Sequence, residues 1–511
     1  MMTVVIDGEH LTIDEVVQVS RHKKSVELAE AALDGILASR DVVESTLAEG
    51  KIVYGVNTGF GDLSNVSISP NDLARLQVNL IRSHSAGVGP PFSEEVVRGM
   101  MLLRANALAK GYSGVRLEVI EALIEMLNKD VVPIVPQQGS VGSSGDLAPL
   151  AHMALVLIGE GRASYKGTIY SGAEAMQSAQ ITPISLEAKE GVALINGTQP
   201  MSSVGCLVVH DALTLVRNAI VASAMSLEAL RGTRTAFDER IHMTRRHEGQ
   251  LDIARTMLDI LRDSEINKSH ENCGKVQDAY SLRCIPQVLG ASLDSIRYAR
   301  FVLEIEINSA TDNPLVFADE KEILSGGNFH GQPIAIAMDL LGIVISEIAN
   351  ISERRINRLV NAHLSGLPPF LTTEGGLESG LMIAQYTAAS LVSENKVLAH
   401  PASVDSIPTS ADQEDHVSMG TIAARKAMQI LQNAENVIAI EYLCASQGID
   451  LLSPLAPSQP ITAAMSSIRE VVPMIQNDRP LHDDISSIQS MIRTGHIIKC
   501  VEAVTGSILE E

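Results

Sequence analysis

Apolar residues recur at steps of three and four through three long stretches of the second half of the chain. Over 212–231 they include Leu213, Val216, Ile220 and Leu227, which predicts a helix that stops at Gly232. The same spacing predicts helices over 334–360 and 421–447. Because these stretches carry apolar residues on more than one face, we expect neighbouring helices to surround them.

The first half of the chain is patterned differently. Short extended pieces at 3–6 and 131–135 alternate with glycine turns and helices. No linker, charge block or repeat divides the 511 residues, which predicts a single unit over 1–511. We expect a mainly α fold, with a smaller mixed region over about 1–200 and a long-helix bundle over about 201–511, shared between subunits.

Composition agrees with helix-on-helix packing. Hydrophobic residues make up 45% of the chain but aromatic residues only 3%, with no Trp, so the apolar side chains are mostly aliphatic. Aliphatic cores favour helices over a β-sandwich, which draws on aromatic and β-branched residues. The net charge of −22 repels polyanions, so we expect neither nucleic acid nor anionic membrane as a partner.

The cysteines and the N-terminus indicate a cytoplasmic protein. The number of cysteines is odd and they form no C-x-x-C pair, which excludes a disulfide framework and a zinc ribbon; they are Cys206, Cys273, Cys284, Cys444 and Cys500. The first residues contain no apolar signal core, and charged residues interrupt the nearest candidate membrane span, 334–351.

The most unusual segment is GSVGSSGDLAP at 139–149, where glycine recurs at every third position. One interpretation is a glycine turn before a helix, with Asp146 as N-cap and Pro149 in the first turn. The other is chemical: the amide of Gly145 can bend back onto the carbonyl of Ser143, because glycine leaves its nitrogen sterically free. Ser144 between them can lose water to form an alkene, and the product would be an exposed electrophile.

The stretch GSVGSSGDLAPLAHMAL resembles the prosthetic-group motif of the aromatic amino acid lyases, which include histidine, phenylalanine and tyrosine ammonia-lyases and related 2,3-aminomutases. Further segments resemble the family in order along the chain: YGVNTGFG (54–61), NLIRSHSAGVG (79–89), EGVALINGTQ (190–199), QDAYSLRCIPQV (277–288), ATDNPL (310–315), GGNFHGQP (326–333) and QEDHVSMG (413–420).

This resemblance implies a fumarase/aspartase-like helical homotetramer with active sites built from several subunits. It also implies that Ser143, Ser144 and Gly145 cyclise to 4-methylidene-imidazol-5-one (MIO), so that neither an external cofactor nor a metal is needed. Ser143 stands where the family usually has Ala. Because the ring uses the carbonyl of that residue, we expect the ring to form.

The resemblance also assigns site residues that would otherwise be interpreted as structural. Tyr54 would take the β-proton of the substrate, and Arg283 would grip its carboxylate, for which a guanidinium fork is suited. The remaining members of this group would surround the MIO, the substrate amine and the substrate ring; they are Asn196, Gln277, Tyr280 and Phe329.

Two residues bear on the substrate. The Ser83-His84 pair occurs in histidine lyases and in some tyrosine aminomutases. Glu414 stands where phenylalanine- and tyrosine-specific members usually carry an amide. A carboxylate suits an imidazole N–H but would be an unpaired buried charge beside a phenyl ring. The expected reaction is deamination of L-histidine to trans-urocanate and ammonia.

Several alternatives remain at this point. An aromatic aminomutase or a phenylalanine or tyrosine lyase would use the same electrophile. A fumarase/aspartase-type lyase would use a serine of the loop as a base, and a non-catalytic helical scaffold would leave Ser144 unchanged. The segment His482-Asp483-Asp484 could bind a metal, but a helix start explains it better.

Overall fold

The computed structural model describes residues 3–271, 274 and 276–509. Within them the strands are short and lie at β1 (Val4–Ile6), β2 (Val26–Leu28), β3 (Val88–Pro91), β4 (Val131–Pro133), β5 (Pro136–Gln138), β6 (Arg162–Tyr165), β7 (Thr168–Ser171), β8 (Leu315–Phe317) and β9 (Glu322–Leu324). β1 and β2 pair in parallel. The other pairings, β3–β5, β4–β6–β7 and β8–β9, are antiparallel.

Helices account for most of the described chain, which confirms the mainly α fold class. They are α1 (Ile13–His22), α2 (Leu33–Ala48), α3 (Leu73–His84), α4 (Glu94–Ala109), α5 (Leu117–Asn128), α6 (Leu147–Leu157), α7 (Gly172–Ser178), α8 (Glu190–Ile195), α9 (Gln199–Ala229), α10 (Glu239–Met243), α11 (Glu248–Ile260), α12 (Glu265–Lys268), α13 (Tyr280–Arg283), α14 (Ile285–Glu306), α15 (Gln332–Val360), α16 (Ala362–Ser365), α17 (Met382–Leu398), α18 (Gly420–Asp450), α19 (Gln459–Arg469), α20 (His482–Arg493) and α21 (His496–Thr505).

The three long helices predicted from periodicity are present. α15 and α18 lie within a few residues of the predicted bounds, whereas α9 begins at Gln199 rather than at residue 212. The stretch 199–211 is buried on nearly every face and therefore lacks the polar stripe that marks an amphipathic helix. The strands near 3–6 and 131–135 also form, as β1 and β4.

The chain divides into two compact units. The first comprises 1–210, 299–339 and 401–425, and the second comprises 211–298, 340–400 and 426–511. All the strands given above fall in the first unit, whereas the second is built from helices and turns in the part that the structure describes. That the chain acts as one unit, mixed up to about residue 200 and helical beyond it, stays a prediction.

Each unit has its own core. In the first unit α4 is buried over the whole of 96–109, so this helix lies in the centre of the core. In the second unit the buried residues include Leu289, Ile345, Ile438 and Leu443. Two helices, α9 and α15, are long and apolar enough to cross a membrane, but 78% and 61% of their most apolar windows are buried inside the protein. Core helices of a folded protein have the same properties.

Among the described cysteines, Cys206, Cys284, Cys444 and Cys500 are free thiols. Cys273 lies outside the described residues. Burial raises the pKa of the Cys206 and Cys444 thiols, so these two remain protonated.

Candidate active site

Five of the predicted site residues meet at one cavity of about 170 Å³ in the first unit. They come from separate segments of the chain: Tyr54 follows α2, His84 ends α3, Ser144 precedes α6, Asn196 follows α8 and Glu414 precedes α18. The rest of the lining is mostly apolar and consists of Phe60, Gly61, Leu80, Leu147, Val192, Ile195 and Ser410. The fold therefore assembles at one place residues that are up to 360 positions apart in the sequence.

The loop before α6 follows a path that only glycine permits. Gly145 has a φ of +74°, and a Cβ placed on it would lie 2.2 Å from the carbonyl oxygen of Gly197. The two segments are bridged, because the N–H of Asp146 donates to the Gly197 carbonyl at 2.8 Å and the N–H of Gly197 donates to the Ser144 carbonyl at 3.3 Å. The backbone of Ser144 is thus held while its side chain faces the cavity.

Asp146 has a different role from the predicted one. It occupies the N-cap position of α6, but among the described residues its carboxylate makes no capping hydrogen bond. Instead the carboxylate accepts from the Ser140 hydroxyl at 2.6 Å, from the Met201 N–H at 2.9 Å and from the Thr421 hydroxyl. These bonds tie the loop to the starts of α9 and α18. Burial raises the pKa of Asp146, and the two hydroxyls and the N–H oppose that shift.

Glu414 is oriented from both sides. The Thr409 hydroxyl donates to its Oε2 at 2.8 Å, and the Ser144 hydroxyl donates to its Oε1 at 3.3 Å. Backbone hydrogen bonds between Thr409 and Glu414 in both directions close the turn that carries it. A carboxylate held in this way has acceptor capacity left for a donor in the cavity.

Tyr54 is a protonated phenol in this environment. Burial raises the pKa of Tyr54, the charges of Glu414 and Asp312 raise it further, and a hydrogen bond from the Gly61 backbone lowers it. The ring packs edge-on against Phe60, with 6.5 Å between the ring centroids. A base at this position must therefore lose its proton before it can accept one, which favours a higher pH.

His84 is neutral, with a defined tautomer. Its Nδ1 lies 2.9 Å from the carbonyl oxygen of Leu80, and because a carbonyl can only accept, the proton resides on Nδ1. Burial lowers the pKa of His84, although the Leu80 carbonyl and the Glu414 charge raise it. The Nε2 atom is therefore left as a hydrogen-bond acceptor.

Asn196 rests on a buried polar layer. Its Nδ2 donates to the Asn313 carbonyl at 2.9 Å, and its own carbonyl accepts from Arg104, which also donates to the Ala193 carbonyl at 2.7 Å. Burial lowers the pKa of Arg104 to about 10. Arg104 was not predicted from the sequence, although an arginine directly after the apolar run MMLL of α4 is a recognisable signal.

The same layer contains a buried ion pair that the sequence analysis also missed. Lys189 Nζ and Asp312 Oδ2 are 2.6 Å apart, and both side chains are buried. Burial lowers the pKa of Lys189, and Asp312 opposes that shift. The pair lies in the segments that precede Asn196 and Asn313, so it contributes to the fixed position of both.

Apart from Ser143 and Gly145, which flank Ser144, the remaining four predicted residues are not brought to this cavity. Phe329 is half-buried in the turn before α15, outside the lining as far as the described residues define it. Gln277, Tyr280 and Arg283 belong to the second unit. Tyr280 is 71% exposed, and the Arg283 guanidinium carbon lies 4.5 Å from the centroid of the Tyr280 ring.

Arg283 and Gln277 differ in their surroundings. Arg283 Nε is buried without a partner among the residues that the structure describes. Gln277 is exposed and lines a cavity of about 530 Å³ in the second unit. Arg283 as a whole is half-buried, and the guanidinium fork of an arginine suits a carboxylate.

The acidic segment at 482–484 starts a helix, as predicted. α20 begins at His482, and both aspartates lie in its first turn, where negative charge is favourable. Within the described ranges, no group of three or more histidine, cysteine, aspartate or glutamate side chains is arranged to hold a metal ion.

Comparisons with known proteins point to one family. The sequence model described as aromatic amino acid lyase matches residues 11–470. A histidine ammonia-lyase of Caldanaerobacter subterraneus subsp. tengcongensis is 58% identical over 497 residues, which cover 97% of this chain and 98% of that protein. A histidine ammonia-lyase of Gloeobacter violaceus is 54% identical over 99% of this chain and 98% of that protein.

Solved structures give the same fold for two activities. The crystal structure of histidine ammonia-lyase from Trypanosoma cruzi aligns with a TM-score of 0.92 at 44% identity, covering 100% of this chain and 96% of that chain. The tyrosine aminomutase from Streptomyces globisporus aligns with a TM-score of 0.94 at 40% identity, covering 100% of both chains. Backbone similarity therefore does not distinguish a lyase from an aminomutase. The side chains of the site have to distinguish them.

Proposed function

Because the chain belongs to the aromatic amino acid lyase family, we propose that it catalyses the histidine ammonia-lyase reaction, the non-oxidative deamination of L-histidine to trans-urocanate and ammonia. The observation that carries this proposal is the position of Glu414. Its carboxylate shares the cavity wall with Ser144, and the Thr409 hydroxyl holds it.

The electrophile in this proposal is MIO, formed from Ser143, Ser144 and Gly145, which supplies a carbon that the substrate amine can attack. The local geometry suits such a ring. Gly145 adopts a positive φ where no side chain would fit, no side chain of its own hinders its amide, and Ser144 reaches the cavity. Ser143 contributes only its carbonyl, and its side chain is buried away from the cavity lining.

Each residue of the cavity has a task that its surroundings support. Tyr54, once deprotonated, removes the β-proton of histidine. Asn196 presents its side chain beside Ser144 while its amide stays bonded to the Asn313 carbonyl, so it holds the substrate amine in a fixed place. The apolar walls exclude water from the reacting atoms.

The ring of the substrate meets two acceptors. Glu414 has lone pairs to spare, and His84, protonated on Nδ1, has a free lone pair on Nε2. An imidazole carries an N–H that can donate to such acceptors, whereas a phenyl ring has none. Burying the Glu414 carboxylate against a phenyl ring would cost roughly 1–3 kcal/mol or more without compensation.

The four predicted residues outside the cavity fit the remaining tasks. We assign Arg283 to the substrate carboxylate, Tyr280 to the amine and Gln277 to the lining of the site, with Phe329 beside the substrate ring. We further propose a cytoplasmic homotetramer whose active sites combine residues of several copies. In support, large apolar side chains of the second unit are exposed, among them Tyr280 (71%), Tyr386 (59%) and Val397 (72%).

The competing activity is that of an aromatic 2,3-aminomutase. The structural similarity to the tyrosine aminomutase from Streptomyces globisporus supports this alternative. The products distinguish the two, because an aminomutase returns ammonia to Cβ and accumulates a β-amino acid. A phenylalanine or tyrosine lyase would instead release an aryl acrylate.

The experiment is a comparison of purified wild type with Glu414→Gln on L-histidine, L-phenylalanine and L-tyrosine. We expect the wild type to use histidine almost exclusively, since one unmatched hydrogen bond in a buried site can discriminate ~10,000-fold. Glu414→Gln should lose most histidine turnover. A matched control is Glu378→Gln, because Glu378 also accepts from a threonine hydroxyl, that of Thr372, at 2.9 Å.

The control should keep wild-type turnover. Wild-type preference for phenylalanine or tyrosine, or accumulation of a β-amino acid from any of the three substrates, would refute the proposal. Equal losses in the two variants would show that Glu414 has no special relation to the imidazole.

A further inference from the structure

One buried carboxylate joins three helices inside the second unit. Glu441 on α18 is fully buried and accepts hydrogen bonds from Arg355 Nε at 2.5 Å and Arg355 Nη2 at 2.8 Å. It also accepts from the hydroxyls of Ser226 on α9 and Ser352 on α15, each at 2.6 Å. With four donors the carboxylate is satisfied, and the guanidinium fork of Arg355 is fixed in its plane.

The fixed guanidinium has one nitrogen left, and that nitrogen reaches α13. Arg355 Nη1 lies 3.4 Å from the carbonyl oxygen of Ser281 and donates to it. Ser281 is the second residue of the four-residue helix α13, between Tyr280 and Arg283. The buried charge cluster of the bundle is therefore bonded to the helix that carries two of the proposed substrate-binding residues.

Helix α13 depends on its surroundings for its position. A helix of four residues is too short to be stable by itself. Tyr280 is 71% exposed and contributes little packing, whereas Leu282 is 2% exposed and anchors the apolar face. Arg355 supplies a polar anchor on Ser281, in addition to the apolar anchor of Leu282 and the continuation of the chain into α14 at Ile285, and so contributes to how Tyr280 and Arg283 are presented.

We propose that Arg355, held in place by Glu441, is a positioning residue that sets the orientation of α13 and thereby of Tyr280 and Arg283. The inference rests on the proposed function, in which those two residues bind the substrate. Arg355 acts through the backbone of α13 and does not itself contact the substrate.

The main experiment replaces Arg355 with lysine. Arg355→Lys keeps a positive charge beside Glu441 but cannot bond both carboxylate oxygens and the Ser281 carbonyl together. Because a hydrogen bond to a charged group strengthens binding by about 10- to 100-fold, we expect KM for histidine to rise within that range when Arg283 is displaced. The decrease in kcat should be much smaller, since the grip on the carboxylate acts in ground and transition states alike.

The matched control is Arg98→Lys. Arg98 is equally buried and bonds an acid, Asp130, and two backbone carbonyls, but it belongs to the first unit and does not line its cavity, as far as the described residues show. It should lower stability without changing KM. Equal changes of KM in the two variants would show that Arg355 contributes only to stability, which would overturn the proposal.

A double-mutant cycle tests the route of the effect. If Arg355 acts through Arg283, then Arg355→Lys should raise KM much less in an Arg283→Lys background than in the wild type. Independent, multiplicative effects on KM would overturn the proposal.

A readout without substrate separates this inference from the proposed function. Hydrogen exchange of the peptide 279–285 should be faster in Arg355→Lys than in wild type and unchanged in Arg98→Lys. If the wild type does not deaminate histidine but the exchange differs as expected, the proposed function fails and the positioning role stands. Unchanged exchange overturns the positioning role whatever the activity.

Should Arg355→Lys fail to fold, Ser352→Ala takes its place. It removes one donor to Glu441 and leaves the ion pair intact, so its effect on KM and on exchange at 279–285 should have the same direction and a smaller size. An unchanged KM and unchanged exchange in a folded Ser352→Ala would overturn the proposal that Glu441 and Arg355 position α13.

Discussion

The cavity of the first unit and helix α13 of the second present their reactive side chains in opposite ways. In the cavity, Ser144, Asn196 and Glu414 come from distant segments and are each held by hydrogen bonds to neighbours. On α13, Tyr280 and Arg283 are neighbours in sequence and contact each other, and Tyr280 is largely exposed.

The difference follows the chemistry assigned to each region. A self-made electrophile and a general base need fixed geometry and little water, so that no reorganisation accompanies the reaction. A group that binds the carboxylate of an incoming substrate must be reachable, and Arg283 is only half-buried. We therefore expect substitutions in the cavity to affect kcat and substitutions on α13 to affect KM.

The largest effect is expected for Ser144→Ala. Without the hydroxyl no alkene can form, so turnover should fall by several orders of magnitude while the fold persists. Intact mass should show that the variant lacks the two-water loss of the wild type. The control is Ser143→Ala, which restores the usual residue of the family and should keep both the mass loss and the activity. Near-wild-type turnover of Ser144→Ala would remove the electrophile from the mechanism.

Tyr54→Phe should lower kcat by ~100- to 10,000-fold with the two-water loss intact. Because burial raises the pKa of Tyr54, the wild-type kcat should increase with pH on its acidic side as the phenol is deprotonated. The phenylalanine variant should lack that dependence. The measurement is kcat against pH for both proteins, and identical profiles would assign the base to another residue.

Tyr280→Phe separates the two regions most directly. The ring and its contact with Arg283 remain, and the site is exposed, so the free energy of unfolding should change by less than about 0.5 kcal/mol. The activity of this variant on histidine should nevertheless fall. If the active sites combine residues of different copies, co-expression of Tyr280→Phe with Ser144→Ala should restore part of the activity, because some sites then receive both wild-type residues. Absence of any recovery would argue for sites contained within one copy.

A further prediction concerns stability against pH, to which one buried group in each unit should contribute with opposite sign. In the second unit, burial raises the pKa of Glu228 from 4.5 to about 7. The native state therefore binds the proton more tightly, and its stability falls by up to about 3 kcal/mol as pH rises from 4.5 through 7, at about 1.4 kcal/mol per pKa unit. Glu228→Gln should remove that slope.

In the first unit, burial lowers the pKa of His84 from 6.5, so the stability that this residue contributes should instead be lost as pH falls below about 6.5. Denaturant unfolding followed by hydrogen exchange measures the free energy of unfolding of the two units separately. A second unit whose stability does not change between pH 5 and pH 8 would contradict the buried position of Glu228.

The local pattern of residues along the chain was sufficient to predict the long helices and the candidate site residues. The three-and-four periodicity predicted the long helices, and the run of short motifs carried the family resemblance and with it each candidate site residue. The start of α9 was missed because residues 199–211 are buried on nearly every face, with polar residues among them, and show no amphipathic period. Asp146 was interpreted as a cap because an acid before a helix usually is one, and its partners, Met201 and Thr421, are distant in sequence.

By itself, then, the amino-acid sequence determined the helical class, the residue types of the chemistry and the glycine at 145, because these depend on side-chain identity and on local backbone freedom. Only the tertiary structure decided which of those residues meet. It brought Tyr54, His84, Ser144, Asn196 and Glu414 to one cavity and placed Tyr280 and Arg283 on an exposed helix of the other unit. It also buried Arg104, Lys189 and Glu441 with specific partners. Long-range pairings of this kind arise when the whole core packs, and no periodicity along the chain records them.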